Sequence, residues 1–568
     1  MPSEPGSAQS SSRVPDLAVA TVPALWRACV ARYRDLPAIR HHSCALTYAE
    51  LDELSAAFAR GLLADGAGKG ARIGILMPNG PEWLAAWLAV NRIGATAVLI
   101  STFFAGRELA YALRHADIAI LLGAQRYLRN DYVARLEEVF PTLAAQSGRD
   151  PLTLPEAPFL RSIWLAGETH PSWARGGLDE LAEHGKTSSR FTTDLLAAVE
   201  ANVSPADLGV IMYTSGSTAA PKGVVHTQGV VVRKTLFMAR GGGIIPAETE
   251  RGDRVVLTSP LFWVGGFLSG VGALCAGATI ICVDDHAPAT LLGALREAQA
   301  THVTGSEALL LSLRNSSLAQ PGDFDGLKMQ NTNQLPFFRP QTSRSRLPFA
   351  LGMTETFGPH SGYNEGGLLP EGVSGSVGPA LEGVEYRIVE PETGETQPTG
   401  AAGELCVRTP WLMDGMYKRE RAEIFSRDGF YHTGDRCRLD AGGFLYFEAR
   451  IGGMIKTSGA NVSAEEVEAV IVEHPDVIEA AVLGLPDRER GQLVVAAVVK
   501  RDGSGLSEEG LQARLREQLS SFKVPRRIFF FGYDDLPRTP SNKVRKPALA
   551  ETLSALMSAA AASTQEAT

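Results

Sequence analysis

Residues 71–116, ARIGILMPNGPEWLAAWLAVNRIGATAVLISTFFAGRELAYALRHA, decide the fold. ARIGILM is a short continuous apolar run stopped by Pro-Asn-Gly, which reads as a buried strand. PEWLAAWLAVNRIG opens on a proline and reads as a helix, ATAVLIS as the next strand, and RELAYALRHA as another helix. Short β-branched runs alternating with helices predict an α/β architecture with largely parallel sheets. The same rhythm returns in DRVVLTS at 253–259, FLSGVGALCAG at 267–277 and ATIICVDD at 278–285, so two related α/β halves are expected. Glu395 to Arg438 is richer in Gly, Pro and short alternating runs and predicts a small β subdomain. Beyond it, the helix AEEVEAVIVEH at 464–474 and the strands IEAAVLGL at 478–485 and QLVVAAVVK at 492–500 predict a small α+β C-terminal domain. The expected division is a disordered tail at 1–16, a large domain at 17–449, a small C-terminal domain at 450–556 and a flexible alanine-rich tail at 557–568.

The segment Tyr213–Gly223, YTSGSTAAPKG, sets five hydroxyl residues, two glycines and one lysine in a single loop. The apolar run Leu208–Met212 precedes it and Val224 and Val225 follow, so it is fixed between core segments. Gly216 and Gly223 allow close backbone approach to an anion. Thr214, Ser215, Ser217 and Thr218 donate hydrogen bonds, and Lys222 adds a compact positive charge. The lysine sits in Pro-Lys-Gly with no Ser or Thr after it, which separates this loop from the Walker type. A plain Ser/Thr/Gly surface loop is the competing reading.

The chain has 568 residues, 45% hydrophobic and 21% charged, with a net charge of −9, which argues against a general nucleic-acid binder. Its six cysteines show no metal-ligand spacing and read as reduced cytoplasmic thiols. The start MPSEPGSAQSSSR lacks the apolar stretch of a signal peptide, and no run is long and apolar enough for a transmembrane segment.

Four more motifs follow the loop in order: GMTET at 352–356, YHTGD at 431–435, RIGGMIKTSGANVSAEEVE at 450–468 and PRTPSNKVRK at 537–546. Together the five resemble the adenylate-forming (AMP-binding) superfamily, and most of all its acyl-CoA synthetases and acid:CoA ligases. The resemblance implies an ATP-dependent ligase that makes an acyl-AMP from a fatty or other apolar acid and passes the acyl group to coenzyme A. ATP, Mg2+ and CoA are its implied ligands. It places ATP at Thr214, Ser215, Gly216, Ser217, Thr218, Lys222, Gly352, Met353, Asp435 and Arg450. Thr354 would contact the α-phosphate, Glu355 would hold the metal, and Lys543 would bridge α-phosphate and substrate carboxylate. Gly452 would be the hinge about which the C-terminal domain turns, bringing Ser458, Gly459 and Ala460 to CoA.

PLFWVGGF at 260–267 is the expected acyl pocket, with Trp263 and Phe267 as apolar walls and Gly265 and Gly266 leaving room. SGSVGPA at 374–380 is the expected opposite wall. Between Leu327 and Gly352 the chain departs from the family, lacking its glycine turn, and Leu351 stands where many relatives have an aromatic residue. Weakened ATP binding, or a rebuilt adenine loop, is therefore expected. Two alternatives stand beside the CoA ligase: an enzyme loading a carrier-protein thiol in trans, and a catalytically impaired nucleotide- or acyl-binding protein. The sequence leaves homodimer formation open.

Overall fold

The structure is a computed structural model and describes residues 20–565, apart from 43, 168, 215–220, 240–251, 306–308, 310–312, 328–349, 363–369, 371, 374, 452–453, 488, 502, 533–534 and 538–543. The opening strand, helix, strand and helix form as read, at Arg72–Leu76, Pro81–Arg92, Thr96–Leu99 and Gly106–His115. Both strands lie in an eight-stranded sheet. Its inner ladder, from Leu208–Thr214 across to Ser162–Ala166 and Gly176–Gly177, is parallel. A five-stranded sheet holds Pro37–His41, Thr279–Cys282, Arg254–Leu257 and His302–Val303 in parallel and ends on the antiparallel strand Cys44–Thr47.

Helix Pro81–Arg92 is buried on nearly every side and helix Val264–Cys275 over most of its length, so both read as continuously apolar. Trp83 and Trp87 of the first meet Phe267 of the second edge-on, at 6.5 and 5.1 Å between ring centroids. Such aromatic pairs add about 0.5–1.5 kcal/mol beyond the apolar area they bury. A single core runs through these helices and both sheets.

The small β unit is a four-stranded antiparallel sheet of Glu385–Val389, Ala402–Arg408, Tyr431–Leu439 and Leu445–Arg450. It is wider than the 395–438 span expected. Arg450 pairs across the ladder with Asp435 and so belongs to this sheet, while the next sheet starts at Met454. The expected boundary at 450 therefore moves past Arg450, because that residue's backbone is committed to the preceding ladder.

The C-terminal sheet is built on Val477–Asp487 and Gly491–Lys500, with Met454–Thr457, Ala460–Ser463 and Arg527–Phe531 alongside. Val494, Ala496 and Val498 face helices Ala464–Val472 and Glu508–Gln518, while Val495, Ala497 and Val499 pack on the other side with Leu549 and Leu553. Two covered faces explain why QLVVAAVVK has no polar alternation. The tail expected at 557–568 is corrected to Gln565 at least, since helix Lys546–Gln565 includes it and Met557 packs on the sheet. No helix among the described residues is long and apolar enough to cross a membrane. All six cysteines are free thiols.

Candidate active site

Thr214 and Lys222 are the terminal pair of the antiparallel ladder between Leu208–Thr214 and Lys222–Thr227. The glycine-rich loop thus springs from a fixed base beside the sheet; Ser215, Gly216, Ser217 and Thr218 themselves fall outside the described residues. Two residues past Val224 on the same strand, His226 is fully buried and its Nε2 lies 2.7 Å from the Thr354 carbonyl. Burial drives its pKa down to about 4, so the ring is neutral and donates from Nε2.

That bond ties the strand Lys222–Thr227 to the GMTET turn. Gly352 and Met353 pair with Pro359 and Gly358. A Cβ at Gly352 would sit 2.6 Å from the Pro359 backbone, so this position requires glycine. Phe357 takes a left-handed φ of 47° and is fully buried against His226 and Phe267. Packing therefore holds a conformation that costs an aromatic residue on the order of 1–3 kcal/mol. Thr354–Thr356 forms one turn of 3₁₀ helix, and the Glu355 carbonyl accepts from the Met413 amide at 2.8 Å.

The Glu355 carboxyl is buried, 3.5 Å from the Tyr431 hydroxyl. Burial raises its pKa, while Arg450 and Lys222 pull the other way. Lys222 is lowered by burial and by the cations Arg419 and Arg450, against the pull of Glu355. Asp435 lies at 2% exposure with Oδ1 2.6 Å from Arg450 Nη1. Burial opposes the charge on Arg450, yet Asp435 and Glu355 hold its pKa up. The structure thus gathers two buried carboxylates and three cations from strand ends, a 3₁₀ turn and a loop that the sequence spreads between 222 and 450. Such a cluster neutralises polyphosphate and leaves carboxylate oxygens for sugar hydroxyls and a hard cation. Glu355 fits a magnesium ligand on its chemistry: a buried anionic oxygen whose ionised form a divalent cation would favour.

Trp263 is half-buried at the start of helix Val264–Cys275. It meets Phe262 at 5.8 Å, Phe103 at 5.7 Å and, from the C-terminal domain, Phe522 at 6.3 Å. Gly265 is exposed, and a Cβ there would meet nothing within 4 Å. Gly266 is a correction: a Cβ there would lie 2.0 Å from the Pro260 carbonyl oxygen, so it permits close packing and provides no room. Phe267 is corrected as well, being fully buried between Trp83, Trp87 and Phe357 in the core. On the opposite side Ser376 is spent on a bond to the Leu445 carbonyl and Gly378 packs against Gly362. Leu351 is buried in the core, its amide bonded to Ser361.

Ser458 and Gly459, with φ of 49° and 83°, make the tight turn between Met454–Thr457 and Ala460–Ser463. The turn residues are exposed and Ala460 is buried. On the same hairpin Lys456 lies within electrostatic reach of Asp435 and Arg450. Gly452 and Lys543 fall outside the described residues.

The two domains meet through charge as well as aromatic rings. Lys523 is 2% exposed, its ammonium 2.5 Å from Glu108 of the large domain and 2.7 Å from Glu466 of its own. The Ser520 hydroxyl donates to Glu108 at 2.7 Å, and Arg107 bonds both oxygens of Glu473. The two carboxylates keep Lys523 protonated against burial, and burial holds the Glu466 carboxyl above its ordinary range. A capping box between Ser463 and Glu466 is only half formed. Ser463 Oγ caps the Glu466 amide, while the Glu466 side chain turns away to Lys523. Glu108, Lys523, Phe103 and Phe522 carry no local motif, and only the apolar neighbourhood of Lys523 in SFKVP hints that it is not a solvated lysine.

Residues 26–417 match the family model described as AMP-binding enzyme, and residues 466–543 the model described as AMP-binding enzyme C-terminal domain. The chain belongs to the AMP-binding enzyme family. It is 28% identical over 537 residues to a putative acyl-CoA synthetase, YngI, of Bacillus subtilis (strain 168), covering 91% of this chain and 94% of that one. It is 28% identical over 544 residues to a long-chain-fatty-acid–CoA ligase of Escherichia coli O157:H7, covering 91% of each. Its fold matches o-succinylbenzoate CoA synthetase of Bacillus subtilis, solved with a product analogue, at a TM-score of 0.71 and 24% identity over 93% of this chain and 98% of that one. The relatives are AMP-forming acid:CoA ligases, and the chain is an enzyme of that kind.

Proposed function

We propose that the protein joins an apolar carboxylic acid to coenzyme A in two steps on one nucleotide site. In the first, a carboxylate oxygen of the acid attacks the α-phosphorus of ATP, and the bond to the β-phosphate breaks to release pyrophosphate. In the second, the CoA sulfur attacks the acyl carbon, AMP leaves with the bonding electrons, and the thiol proton is lost. The observation that carries the reading is the convergence of Lys222, Glu355, Asp435 and Arg450 at the base of the glycine-rich loop.

Bringing two anions together is mainly a problem of charge and alignment. Thr214, Ser215, Gly216, Ser217, Thr218 and Lys222 cradle the outer phosphates, with Gly352 and Met353 along the nucleotide and Thr354 at the α-phosphate. Asp435 accepts from the ribose hydroxyls, and Arg450 keeps that carboxylate ionised and aimed. Glu355 would hold Mg2+, which supplies phosphate charge neutralisation when bound. Lys543 bridges the two reacting anions in the first step. Trp263, with Phe103 and Phe262, forms an aromatic wall that suits an aliphatic or aryl acid.

The domain arrangement favours the second step. With Lys523 seated on Glu108 and Phe522 against Trp263, the Ser458–Ala460 hairpin is brought towards the site, and Gly459 at its tip keeps the thiol path clear. Rotation about Gly452 would exchange this face for Lys543.

Incubation with ATP, Mg2+, CoA and a panel of aliphatic and aryl acids, followed by mass spectrometry, tests the reading. Acyl-CoA and AMP in equal amounts are expected. Acyl-AMP that persists without a thioester would transfer the acceptor role to a carrier protein, and no turnover with any acid would overturn the reading.

A further inference from the structure

Away from the nucleotide residues, two adjacent histidines share one carboxylate. His41 closes the strand Pro37–His41, which runs parallel to Thr279–Cys282 with His41 opposite Cys282. Asp284, two residues beyond Cys282, is thereby delivered beside His41. His42 follows in the tight turn that pairs His41 with Cys44 and takes a left-handed φ of 51°. His41 Nε2 lies 2.9 Å from Asp284 Oδ1 and His42 Nε2 2.6 Å from Oδ2. The imidazole rings are 4.4 Å apart and tilted by 38°.

We propose that His41, His42 and Asp284 form a binding site for a divalent transition-metal ion of the Zn2+ class. The three ligand atoms already lie within 4.8 Å of one another. Tetrahedral Zn2+, with bonds of about 2.0–2.1 Å, separates its ligand atoms by roughly 3.4 Å. Opening each N to O contact by less than about 1 Å, and drawing the ligand atoms in from a spread of up to 4.8 Å to that spacing, therefore admits the ion, with both histidines switching to the tautomer that frees Nε2. Two imidazoles and a carboxylate suit Zn2+, Cu2+ or Ni2+ and not the oxygen-seeking Mg2+ of the nucleotide site.

The frame behind the ligands is fixed. Tyr127 donates its hydroxyl to the Asp284 carbonyl at 2.7 Å, and the ladder holds His41. The side chains are 22%, 65% and 45% exposed for His41, His42 and Asp284, so the remaining coordination positions are left to water. The ion would staple the hairpin turn to the end of strand Thr279–Cys282. Gly80 approaches the His41 ring, and the preceding Asn79 bonds Ser259 and Leu261, which lead to the Trp263 wall.

The test uses tag-free full-length protein carrying Cys44→Ser, which removes the one exposed thiol. Zn2+ is titrated in competition with a chromophoric chelator, without ATP or Mg2+, in this parent and with His42→Ala or Asp284→Asn added. Asparagine preserves a hydrogen-bond acceptor and removes only the anionic ligand, and circular dichroism checks that each variant is folded. One Zn2+ per chain in the parent, with affinity weakened at least about tenfold in both variants, is the expected result. The parent's melting temperature should also rise with Zn2+ and the variants' should not. No binding by the parent, or binding that either variant retains in full, would overturn the proposal.

Discussion

The cluster at the base of the glycine-rich loop and the domain seam are both built from charges withdrawn from solvent, but they differ in how the chain presents them. Lys222, Glu355, Asp435 and Arg450 sit on strand ends and one short turn within the large domain, braced by neutral groups such as His226 and Tyr431. Glu108, Lys523 and Glu466 come from helices and a loop of two domains and are braced chiefly by one another. With Arg419, the first cluster sets three cations against two carboxylates. The second has one cation for two carboxylates and is closed to water. In the proposed reading the first cluster meets a charged ligand, whereas the second holds one arrangement of the domains.

The largest effect that separates the two is expected from Lys543→Ala, which should slow adenylation on the order of a hundredfold or more. It should leave attack of CoA on preformed acyl-AMP intact. ATP–pyrophosphate exchange and thioester formation, assayed separately, check this; equal loss of both would remove the assignment of Lys543 to the first step only.

Lys523→Ala should act in the opposite sense. It leaves two buried carboxylates facing each other, a change that costs about 3–5 kcal/mol when one partner of a buried pair is removed. That loss should fall on domain docking. Hydrogen exchange at residues 519–524 should rise, and thioester formation should fall while pyrophosphate exchange survives.

Lys234 offers a sharper test of what an unpaired buried charge does. It is fully buried on helix Gln228–Ala239, bonds the Pro359 carbonyl at 2.5 Å and lies 3.9 Å from the Trp411 ring centre, with no carboxylate partner among the described residues. Burial lowers its pKa to about 7. Between about pH 7 and 10 the unfolded chain therefore holds a proton that the folded chain has lost, so this group adds stability as pH rises. Denaturation of wild type and Lys234→Met across that range should show the wild type gaining on the order of 1.4 kcal/mol per pH unit over the variant. Parallel curves would mean that Lys234 is not depressed.

Smallest in energy are the wall variants. Trp263→Ala should shift acyl preference towards bulkier acids by about 1–3 kcal/mol in kcat/KM for the overall reaction. Phe522→Ala should shift preference only in the thioester step, because Phe522 meets Trp263 across the seam. Matching shifts in pyrophosphate exchange would contradict that division.

What the sequence made legible follows the same comparison. The strand and helix at 71–92 were readable because both are buried on nearly every side, which leaves long apolar runs between clear stops. Asp435 and Arg450 were readable through motif order, although their ion pair was not, since it depends on the register of two antiparallel strands. Gly266 and Phe267 looked like pocket residues because a glycine beside an aromatic has the same composition in a pocket and in a close helix contact; only the Pro260 carbonyl separates the two. Glu108 and Lys523 were hidden for a different reason. A buried charge is defined by its partner, and that partner lies 415 residues away.

The most direct measurement sets Lys523→Ala beside Lys543→Ala in the two half-reactions, pyrophosphate exchange and CoA thioester formation from purified acyl-AMP. The account predicts crossed losses, with the first variant failing only at the thioester and the second only at the adenylate. Loss of the same half-reaction in both variants, or of neither in Lys523→Ala, would contradict it.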